Sequence, residues 1–413
     1  MVSPGGEMIR LHKWREQGSR RRRMNLGLLL LALACAIATG GAMAQQQKRI
    51  VSPEVINHRV TFRFPAPNAK DVSVEMEGYG KPLEMTKDES GVWSVTTDPM
   101  EPDYYGYTFV MDGTRLADPS NALLVPNQLE PGSAVHVPGA EALPWEVADV
   151  PHGVIHRHFY HSRVVGDDRD FYVYTPPGYN AAGKQRYPVL YLLHGYSDDA
   201  SAWVSAGHAN AILDNLIAAG KAQPMIVVMP LGYGAPEILA KGWGGPADQE
   251  LWQRNLDKFR DALLEEVIPR VERDYRVKTG REWRAIAGLS MGGAETLEVG
   301  LNNVDKFAYL GAFSSGGVSE DFPTIFPGLD AGAKVKPRVF WMSCGESDHL
   351  LEPNEKLHDW LDAKGMQTEW VESPGAHWWP VWRRNLADFL PQLFQKGKAP
   401  ESDSWTQKVQ IQR

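Results

Sequence analysis

The chain has 413 residues, of which 43% are hydrophobic and 23% are charged, and its formal net charge is −8. This length exceeds what one hydrophobic core usually supports, so two domains are expected, and the composition is that of a globular protein rather than a disordered one. An acidic balance gives no electrostatic attraction to nucleic acid or to anionic membranes, and neither is predicted as a partner.

The first 44 residues have the pattern of a secretory signal peptide. A basic cluster at 20–23 precedes the apolar run LGLLLLALACAIA, and the small residues at 42–44 fit a signal-peptidase site. The apolar run is shorter than a membrane span requires, although a retained membrane anchor is the alternative. We therefore expect a secreted or periplasmic protein without membrane attachment after signal cleavage.

Cleavage after residue 44 leaves 36 basic and 49 acidic residues, which makes the mature chain more acidic. It also leaves Cys344 as the one cysteine, so no internal disulfide is expected. The sequence contains neither a CxxC nor an HExxH pattern. No metal site and no cofactor are therefore predicted.

Residues 50–140 are predicted to form a small all-β domain. Apolar and polar residues alternate at 60–64 and again at 72–76, which is the period of a strand with one buried face. Turn sequences such as the one at 111–113 separate the strand-like segments. Short strands spaced by turns are typical of a β-sandwich.

Residues 141–152 hold two prolines and no periodic pattern, and they are predicted to be a linker. The pattern changes in the predicted catalytic domain, residues 153–400. Continuous apolar runs at 189–193 and 225–229 predict buried strands, and a spacing near 3.6 residues over 251–274 predicts a helix. Strands that alternate with helices indicate a mostly parallel α/β sheet.

Gly288-Leu289-Ser290-Met291-Gly292 is a G-x-S-x-G sequence that lies between a short apolar strand and a predicted helix. Such a strand–turn–helix setting is that of the nucleophile elbow of an α/β-hydrolase. The glycines fit this interpretation because the turn is tight and a Cβ would collide with neighbouring backbone. Ser290 is the predicted nucleophile, and a glycine-rich turn without a catalytic role is the alternative.

A serine hydroxyl is a weak nucleophile at neutral pH and needs a base. His377 and Asp348 each follow a predicted strand, at the sheet edge where α/β proteins place their ligands. The prediction is that His377 accepts the proton of Ser290 and that Asp348 orients His377. Other acids and histidines near these positions are alternatives: Glu346, Glu352, His349 and His358.

The oxyanion formed during acyl transfer requires two N–H donors. We predict the backbone N–H groups of Met291, which follows the nucleophile, and of Tyr196, which lies in the loop after strand 189–193. His194 in the same loop is expected to be structural. Aromatic faces suit sugar rings and phenolic acyl groups. Candidate substrate contacts, with simple packing as the alternative, are Trp203, Trp243, Trp378 and Trp379.

Several blocks in order, including YPVLYLLHGYSDDASAW, RAIAGLSMGGAETL and GAHWWPVWRRNLADFL, resemble esterase D-like enzymes of carbohydrate esterase family 1. That family includes feruloyl and acetylxylan esterases. The resemblance covers about 150–395, implies a metal-free α/β-hydrolase, and supports Ser290, Asp348 and His377. The segments VTFRFPAPNAKDVSVEMEG and GVWSVTTDPMEPDYYGYTFVMDG resemble family 48 carbohydrate-binding modules, which implies an immunoglobulin-like sandwich.

The predicted function is therefore that of a secreted serine esterase that removes feruloyl or acetyl groups from plant cell-wall polysaccharide. Its predicted partner is an acylated polysaccharide or oligosaccharide. Three alternatives stay open: a siderophore esterase of the enterochelin type, an acyltransferase, and a carbohydrate-binding protein with an inactive hydrolase domain.

Overall fold

A computed structural model describes residues 50–330 and 335–395. The predicted signal peptide, residues 1–44, and the last residues of the predicted catalytic domain lie outside the described ranges. The described residues from Val51 onward cluster as one compact unit. Within the described ranges, no helix has both the length and the apolar character that crossing a membrane requires.

The N-terminal part, residues 54–137, consists of short strands. In chain order they are β1 (Glu54–Ile56), β2 (Arg59–Pro65), β3 (Val72–Met76), β4 (Leu83–Glu84), β5 (Thr86–Lys87), β6 (Val92–Thr96), β7 (Asp103–Met111), β8 (Thr114–Leu116), β9 (Leu124–Val125) and β10 (Gly132–Val137). They form two sheets with the orders β1-β2-β6-β5 and β4-β3-β7-β10-β9, with β8 beside β7. All pairs are antiparallel.

The two sheets enclose one apolar core, so we call this part the β-sandwich. Alternate residues of β2 point inward, and its Phe62 ring lies 4.6 Å from the ring of Tyr107 on β7. Phe64 and Phe109 form a second pair across the sandwich, also with ring centroids 4.6 Å apart. The predicted all-β domain is confirmed, while its immunoglobulin-like character and its ability to bind glycan stay predictions.

The segment 138–153 contains no helix or strand. Trp145 within it is buried, with 2% of its surface exposed. The side-chain amide of Asn215 donates hydrogen bonds to the carbonyls of Pro144 and Glu146, each at 2.8 Å. Around Pro144 to Glu146 the segment predicted to be a linker is thus packed on the α/β part, whereas Val147 is 74% exposed.

The α/β part, residues 154–392, contains a second group of strands. They are β11 (Val154–His161), β12 (Asp168–Thr175), β13 (Val189–Leu193), β14 (Ile226–Pro230), β15 (Arg284–Leu289), β16 (Tyr309–Phe313), β17 (Val339–Gly345) and β18 (Glu369–Ser373). They form one sheet in the order β11-β12-β14-β13-β15-β16-β17-β18. Strands β13 to β18 are parallel, and β11 and β12 add an antiparallel edge. The predicted mostly parallel sheet is confirmed.

Helices cover both faces of this sheet, which is why every residue of β13 is buried. The helices are α1 (Ala202–Ser205), α2 (Ala209–Ala218), α3 (Gln249–Ala262), α4 (Ile268–Asp274), α5 (Met291–Asn302), α6 (Phe322–Ile325), α7 (Pro327–Asp330), α8 (Leu351–Ala363) and α9 (Trp379–Phe389). A π turn at Leu263–Val267 joins α3 to α4, so the predicted helix over 251–274 is nearly continuous. Short 3-10 segments lie at Pro236–Ala247, Arg281–Trp283 and Leu390–Gln392.

The carboxyl ends of the parallel strands meet at one edge of the sheet. The loops that follow β13, β15, β17 and β18 all begin at this edge. They carry, in that order, the 194–201 loop, the turn at Ser290, Asp348, and the 374–378 loop with His377. The topology thus brings together residues that lie almost two hundred positions apart.

Candidate active site

Ser290 occupies a strained turn between β15 and α5. Its backbone has φ +51° and ψ −116°, a left-handed conformation that residues with a Cβ rarely adopt. A Cβ on Gly288 would lie 2.4 Å from the carbonyl oxygen of Gly292, and a Cβ on Gly292 would lie 2.6 Å from the carbonyl oxygens of Leu193 and His194. Both glycines are therefore required for β15, α5 and the end of β13 to approach this closely.

Three polar side chains form a hydrogen-bonded chain at the sheet edge. The Nε2 atom of His377 lies 3.0 Å from Oγ of Ser290. The Nδ1 atom of the same ring lies 2.9 Å from Oδ2 of Asp348. The structure thus brings together the three residues that the sequence predicted to act as nucleophile, base and orienting acid.

Asp348 has a fully buried side chain, and the backbone N–H of Leu350 donates to its Oδ1 at 2.9 Å. Burial acts to raise the pKa of Asp348. The hydrogen bond and the positive charge of His377, together with the Leu350 N–H, outweigh that effect and hold the pKa below its ordinary value. Asp348 therefore stays ionised at neutral pH and can keep a proton on Nδ1 of His377, which leaves Nε2 free to accept one.

The alternative acids and histidines are placed differently. Glu346 and Glu352 are exposed, and the carboxylate that meets Nδ1 of His377 is Asp348. The Nδ1 atom of His349 lies 3.4 Å from Oδ1 of Asp348, but 72% of the His349 side chain is exposed. His358 is engaged with Thr368 and with the ring of Trp370.

Asp348, His349 and His377 also place possible ligand atoms within 4.8 Å of one another. Among the described residues, this group could hold a metal ion. The Nδ1 atom of His377 is directed to Asp348 and its Nε2 atom to Ser290, so both ring nitrogens have partners within the protein.

The two predicted oxyanion donors belong to segments that adjoin Ser290. Met291 is the first residue of α5, so its N–H has no partner within the helix. Tyr196 follows Gly195, which approaches the nucleophile so closely that a Cβ on it would lie 3.4 Å from Cβ of Ser290. The positions are consistent with the predicted oxyanion hole, and the role of both amides stays a prediction.

His194 links the loop after β13 to the loop after β14. Its Nε2 accepts the backbone N–H of Gly232 at 2.9 Å, and its Nδ1 lies 2.8 Å from the carbonyl oxygen of Gly195. Burial lowers the pKa of His194 to about 4, so the ring is neutral at physiological pH. These contacts are those of a structural residue, as expected from the sequence.

A cleft of about 810 Å³ opens above Ser290 and His377. Among the predicted aromatic contacts, Trp243, Trp378 and Trp379 line it, and 60% of Trp243 is exposed. Trp379 is mostly buried, at 8% exposure, so little of its surface is available in the cleft.

Trp203 corrects the sequence prediction. It is fully buried, does not line the cleft, and donates from Nε1 to the carbonyl of Leu193 at 2.8 Å. Its ring packs edge-on against Trp379, with centroids 5.3 Å apart. Trp203 thus supports the floor of the site and cannot contact a substrate.

The opposite wall of the cleft comes from the β-sandwich, which the sequence did not predict. Glu77, Tyr79, Lys81, Asn127 and Glu130 all line it. Three of them form hydrogen bonds with the α/β part, Glu77 with Trp379, Asn127 with Ser197 and Glu130 with Trp243, across as many as 302 residues of the chain. No local pattern in the sequence signals such a contact.

Comparison with known proteins places these features in a family. The model of the Esterase family matches residues 162–393, which is more than half of the chain and includes Ser290, Asp348 and His377. The chain belongs to this esterase family.

The chain is also similar to individual members of known name or structure. It is 34% identical over 342 residues to an endo-1,4-beta-xylanase/feruloyl esterase of Xylanibacter ruminicola; the match covers 81% of this chain but only 44% of that relative. A solved structure of a CE1 ferulic acid esterase from Anaeromyces mucronatus is 27% identical, with a TM-score of 0.53, and the match covers 60% of this chain and 93% of that one.

The similarity to a further solved structure extends over both parts of the chain. The enterobactin esterase of Shigella flexneri covers 86% of the chain, and 98% of its own length is matched. The TM-score is 0.63 and the identity 20%, so this likeness concerns the fold.

Proposed function

We propose that this protein is a serine carboxylic-ester hydrolase with Ser290 as its nucleophile. The observation that carries the proposal is the hydrogen-bonded chain from Asp348 through His377 to Ser290, with 2.9 and 3.0 Å between the bonded atoms. A base must lie within hydrogen-bond reach of the proton that it accepts, and His377 meets this requirement. Membership of the esterase family supports the same reaction class.

The proposed reaction has two steps. Oγ of Ser290 attacks the ester carbonyl while Nε2 of His377 takes its proton, and the N–H groups of Met291 and Tyr196 stabilise the oxyanion. Collapse of the intermediate breaks the ester bond, and His377 passes the proton to the departing alcohol. Water, activated by His377, then releases the acid from the acyl-enzyme. Throughout, Asp348 holds the ring and stabilises its charged form.

The proposed substrates are feruloyl or acetyl esters of plant cell-wall polysaccharide or oligosaccharide. The names of two relatives support this choice, one a xylanase/feruloyl esterase and the other a ferulic acid esterase. Trp243 and Trp378 at the cleft offer aromatic faces that suit a sugar or a phenolic acyl group. The signal-like sequence at 1–44 supports export of the enzyme to such a substrate.

The test is the initial rate of the mature protein on methyl ferulate beside 4-nitrophenyl acetate. Fast release of ferulate would support a feruloyl esterase, whereas release of acetate alone would indicate a small acyl pocket and an acetyl esterase. If neither ester is hydrolysed, a siderophore ester becomes the next substrate to test. A sugar acceptor added to the assay separates acyl transfer, which yields acylated sugar, from hydrolysis.

Ser290→Ala is the matched control. We expect kcat to fall by roughly 10⁶, as removal of such a nucleophile can cause, while the melting temperature stays close to that of the wild type. A loss smaller than about tenfold would show that another residue is the nucleophile.

A further inference from the structure

Helix α9, which follows the 374–378 loop, begins at a carboxylate of the β-sandwich. Its first residue, Trp379, donates its backbone N–H to Oε1 of Glu77 at 3.0 Å. The other oxygen of Glu77 accepts the N–H of Gly106 within the β-sandwich at 2.6 Å. Glu77 therefore ties the start of α9 to β7, and His377 lies only two residues before Trp379.

This contact replaces an ordinary helix cap. Trp378, at the N-cap position of α9, makes no capping hydrogen bond with its side chain. The first N–H groups of a helix lack partners within the helix and carry partial positive charge, so a carboxylate placed there is favourable. Here that carboxylate comes from the β-sandwich, 302 residues earlier in the chain.

A buried ion pair fixes the same helix one turn later. Nη2 of Arg383 lies 2.8 Å from Oδ1 of Asp103 at the start of β7, and both side chains are at most 4% exposed. Nη1 of Arg383 donates to the carbonyl of Ala206 at 2.7 Å, and Trp145 donates to the same oxygen of Asp103. The first turns of α9 are thus bonded to the β-sandwich at two points.

The β-sandwich also holds the 194–201 loop on the other side of the nucleophile. The side-chain amide of Asn127 donates to Oγ of Ser197 at 2.8 Å, and the N–H of Gln128 donates to the Ser197 carbonyl at 2.6 Å. Ser197 has φ +72°, a left-handed conformation that needs support in a residue with a Cβ. Tyr196, the proposed oxyanion donor, is its neighbour.

We propose that the β-sandwich acts in the reaction by holding the 374–378 and 194–201 loops against Ser290, with Glu77 and Asn127 as positioning residues. This inference rests on the proposed function, because it assigns to these residues the placement of His377 and Tyr196. A separate observation favours this positioning role over the alternative that the β-sandwich binds glycan away from the active site. Within residues 50–150, all of which are described, every Phe, Tyr and Trp side chain is buried or half-buried, so this part presents no exposed platform of these residues to a sugar chain.

Glu77→Gln tests the proposal with little change in shape. A glutamine side chain can accept from only one of the two N–H donors, and its own amide nitrogen would face the other. With 4-nitrophenyl acetate, a substrate too small to need the β-sandwich wall, we expect kcat to fall at least tenfold while KM changes less than threefold. The rate at which diethyl 4-nitrophenyl phosphate modifies Ser290 should fall in parallel, since that step also needs the base and the oxyanion donors.

Asn215→Ala is the matched control. It removes two hydrogen bonds between the α/β part and the 138–153 segment but touches neither loop, so kcat should stay within twofold of the wild type. Asn127→Ala is the second test and applies even if Glu77→Gln fails to fold. It should also lower kcat with little change in KM.

Three results would overturn the proposal. Wild-type kcat in both Asn127→Ala and folded Glu77→Gln would show that the loops hold their positions unaided. A rise in KM at constant kcat would show that these residues bind substrate instead. An equal loss of kcat in Asn215→Ala would show that loss of any contact between the parts of the molecule lowers activity, so that Glu77 and Asn127 have no special role in positioning. Failure of the wild type to hydrolyse any ester is a distinct outcome, which would remove the proposed function itself.

Discussion

At the scale of single residues, Asp348 is the carboxylate on which the proposed mechanism depends, and it meets two histidines. His377 is bonded to Oδ2 at 2.9 Å, whereas His349 lies 3.4 Å from Oδ1 and is largely in solvent. The shorter contact belongs to the ring that also reaches Ser290. Mutation can therefore distinguish the roles of the two histidines, because only His377 is placed to accept the serine proton.

Asp348→Asn should lower kcat by roughly 10⁴ with little effect on folding. An N–H₂ group of the amide facing Nδ1 of His377 would favour the wrong tautomer of the ring. A neutral amide would also lack the negative charge that stabilises the imidazolium. The measurement is kcat on 4-nitrophenyl acetate, with the melting temperature as a check on folding.

His349→Ala is the companion variant, since it removes the exposed neighbour of the same carboxylate. Its kcat should stay within about threefold of the wild type, as is usual for a solvated side chain outside the chemistry. A loss comparable to that of Asp348→Asn would mean that His349, rather than His377, serves as the base.

At the scale of elements, the turn at Ser290 depends on backbone approaches that only glycine permits. Gly292→Ala would place a Cβ 2.6 Å from two carbonyl oxygens at the end of β13. We expect it to destabilise the protein by about 1–3 kcal/mol, the usual cost of overpacking, and to reduce kcat by displacing Met291. Gly244→Ala is the control, because a Cβ there meets nothing within 4 Å.

Urea unfolding of both variants beside the wild type checks this prediction. Gly244→Ala should shift the free energy of unfolding by no more than about 0.5 kcal/mol. Equal stability of Gly292→Ala and the wild type would show that α5 can shift to accommodate the methyl group.

The elements that the sequence predicted are those with a strong local pattern. Alternation identified β2, continuous apolar runs identified β13 and β14, and the glycines around Ser290 identified the turn, because each of these signals reflects the burial of neighbouring residues. The prediction that Trp203 contacts the substrate is wrong, because it rests on position in the sequence alone. Trp203 follows a loop of the site in sequence, but α1 turns its ring into the core.

Contacts between the two parts of the molecule were beyond prediction from one sequence. The bonds from Glu77 to Trp379 and from Asn127 to Ser197 join residues 302 and 70 positions apart. A glutamate after a strand and an asparagine in a loop are ordinary surface residues by local pattern. Only the packing of the β-sandwich on the sheet edge makes them part of the site.

At the scale of the whole molecule, buried ionisable groups should make stability depend on pH. Burial raises the pKa of Asp198 to about 8 and that of Glu298 to about 7, and it raises the pKa of Glu295 well above its ordinary value. Burial also lowers the pKa of His194 to about 4 and that of His208 to about 3. The three carboxyls and the two histidines therefore affect the free energy of unfolding in different pH ranges.

The buried carboxyls make the protein less stable as the pH rises. An unfolded chain loses these protons near pH 4, whereas the folded chain keeps the proton of Asp198 up to about pH 8, so stability falls as pH rises between those values. The histidines act in the opposite direction, since the unfolded chain takes up protons below about pH 6.5 that the folded chain refuses. Between about pH 6.5 and 8, these carboxyls therefore lower the free energy of unfolding as the pH rises, and these two histidines do not change it.

Asp198→Asn isolates one of these carboxyls, because an asparagine can still accept from Asn127 through its oxygen. We expect the wild-type free energy of unfolding to decline from pH 6.5 to 8, and the variant to decline less steeply, by up to about 1.4 kcal/mol per pH unit. Urea titrations at four pH values measure both slopes. Asp98→Asn should keep the wild-type slope, since 89% of the Asp98 side chain lies in solvent. Parallel slopes for Asp198→Asn and the wild type would mean that Asp198 is ionised in the folded protein at neutral pH.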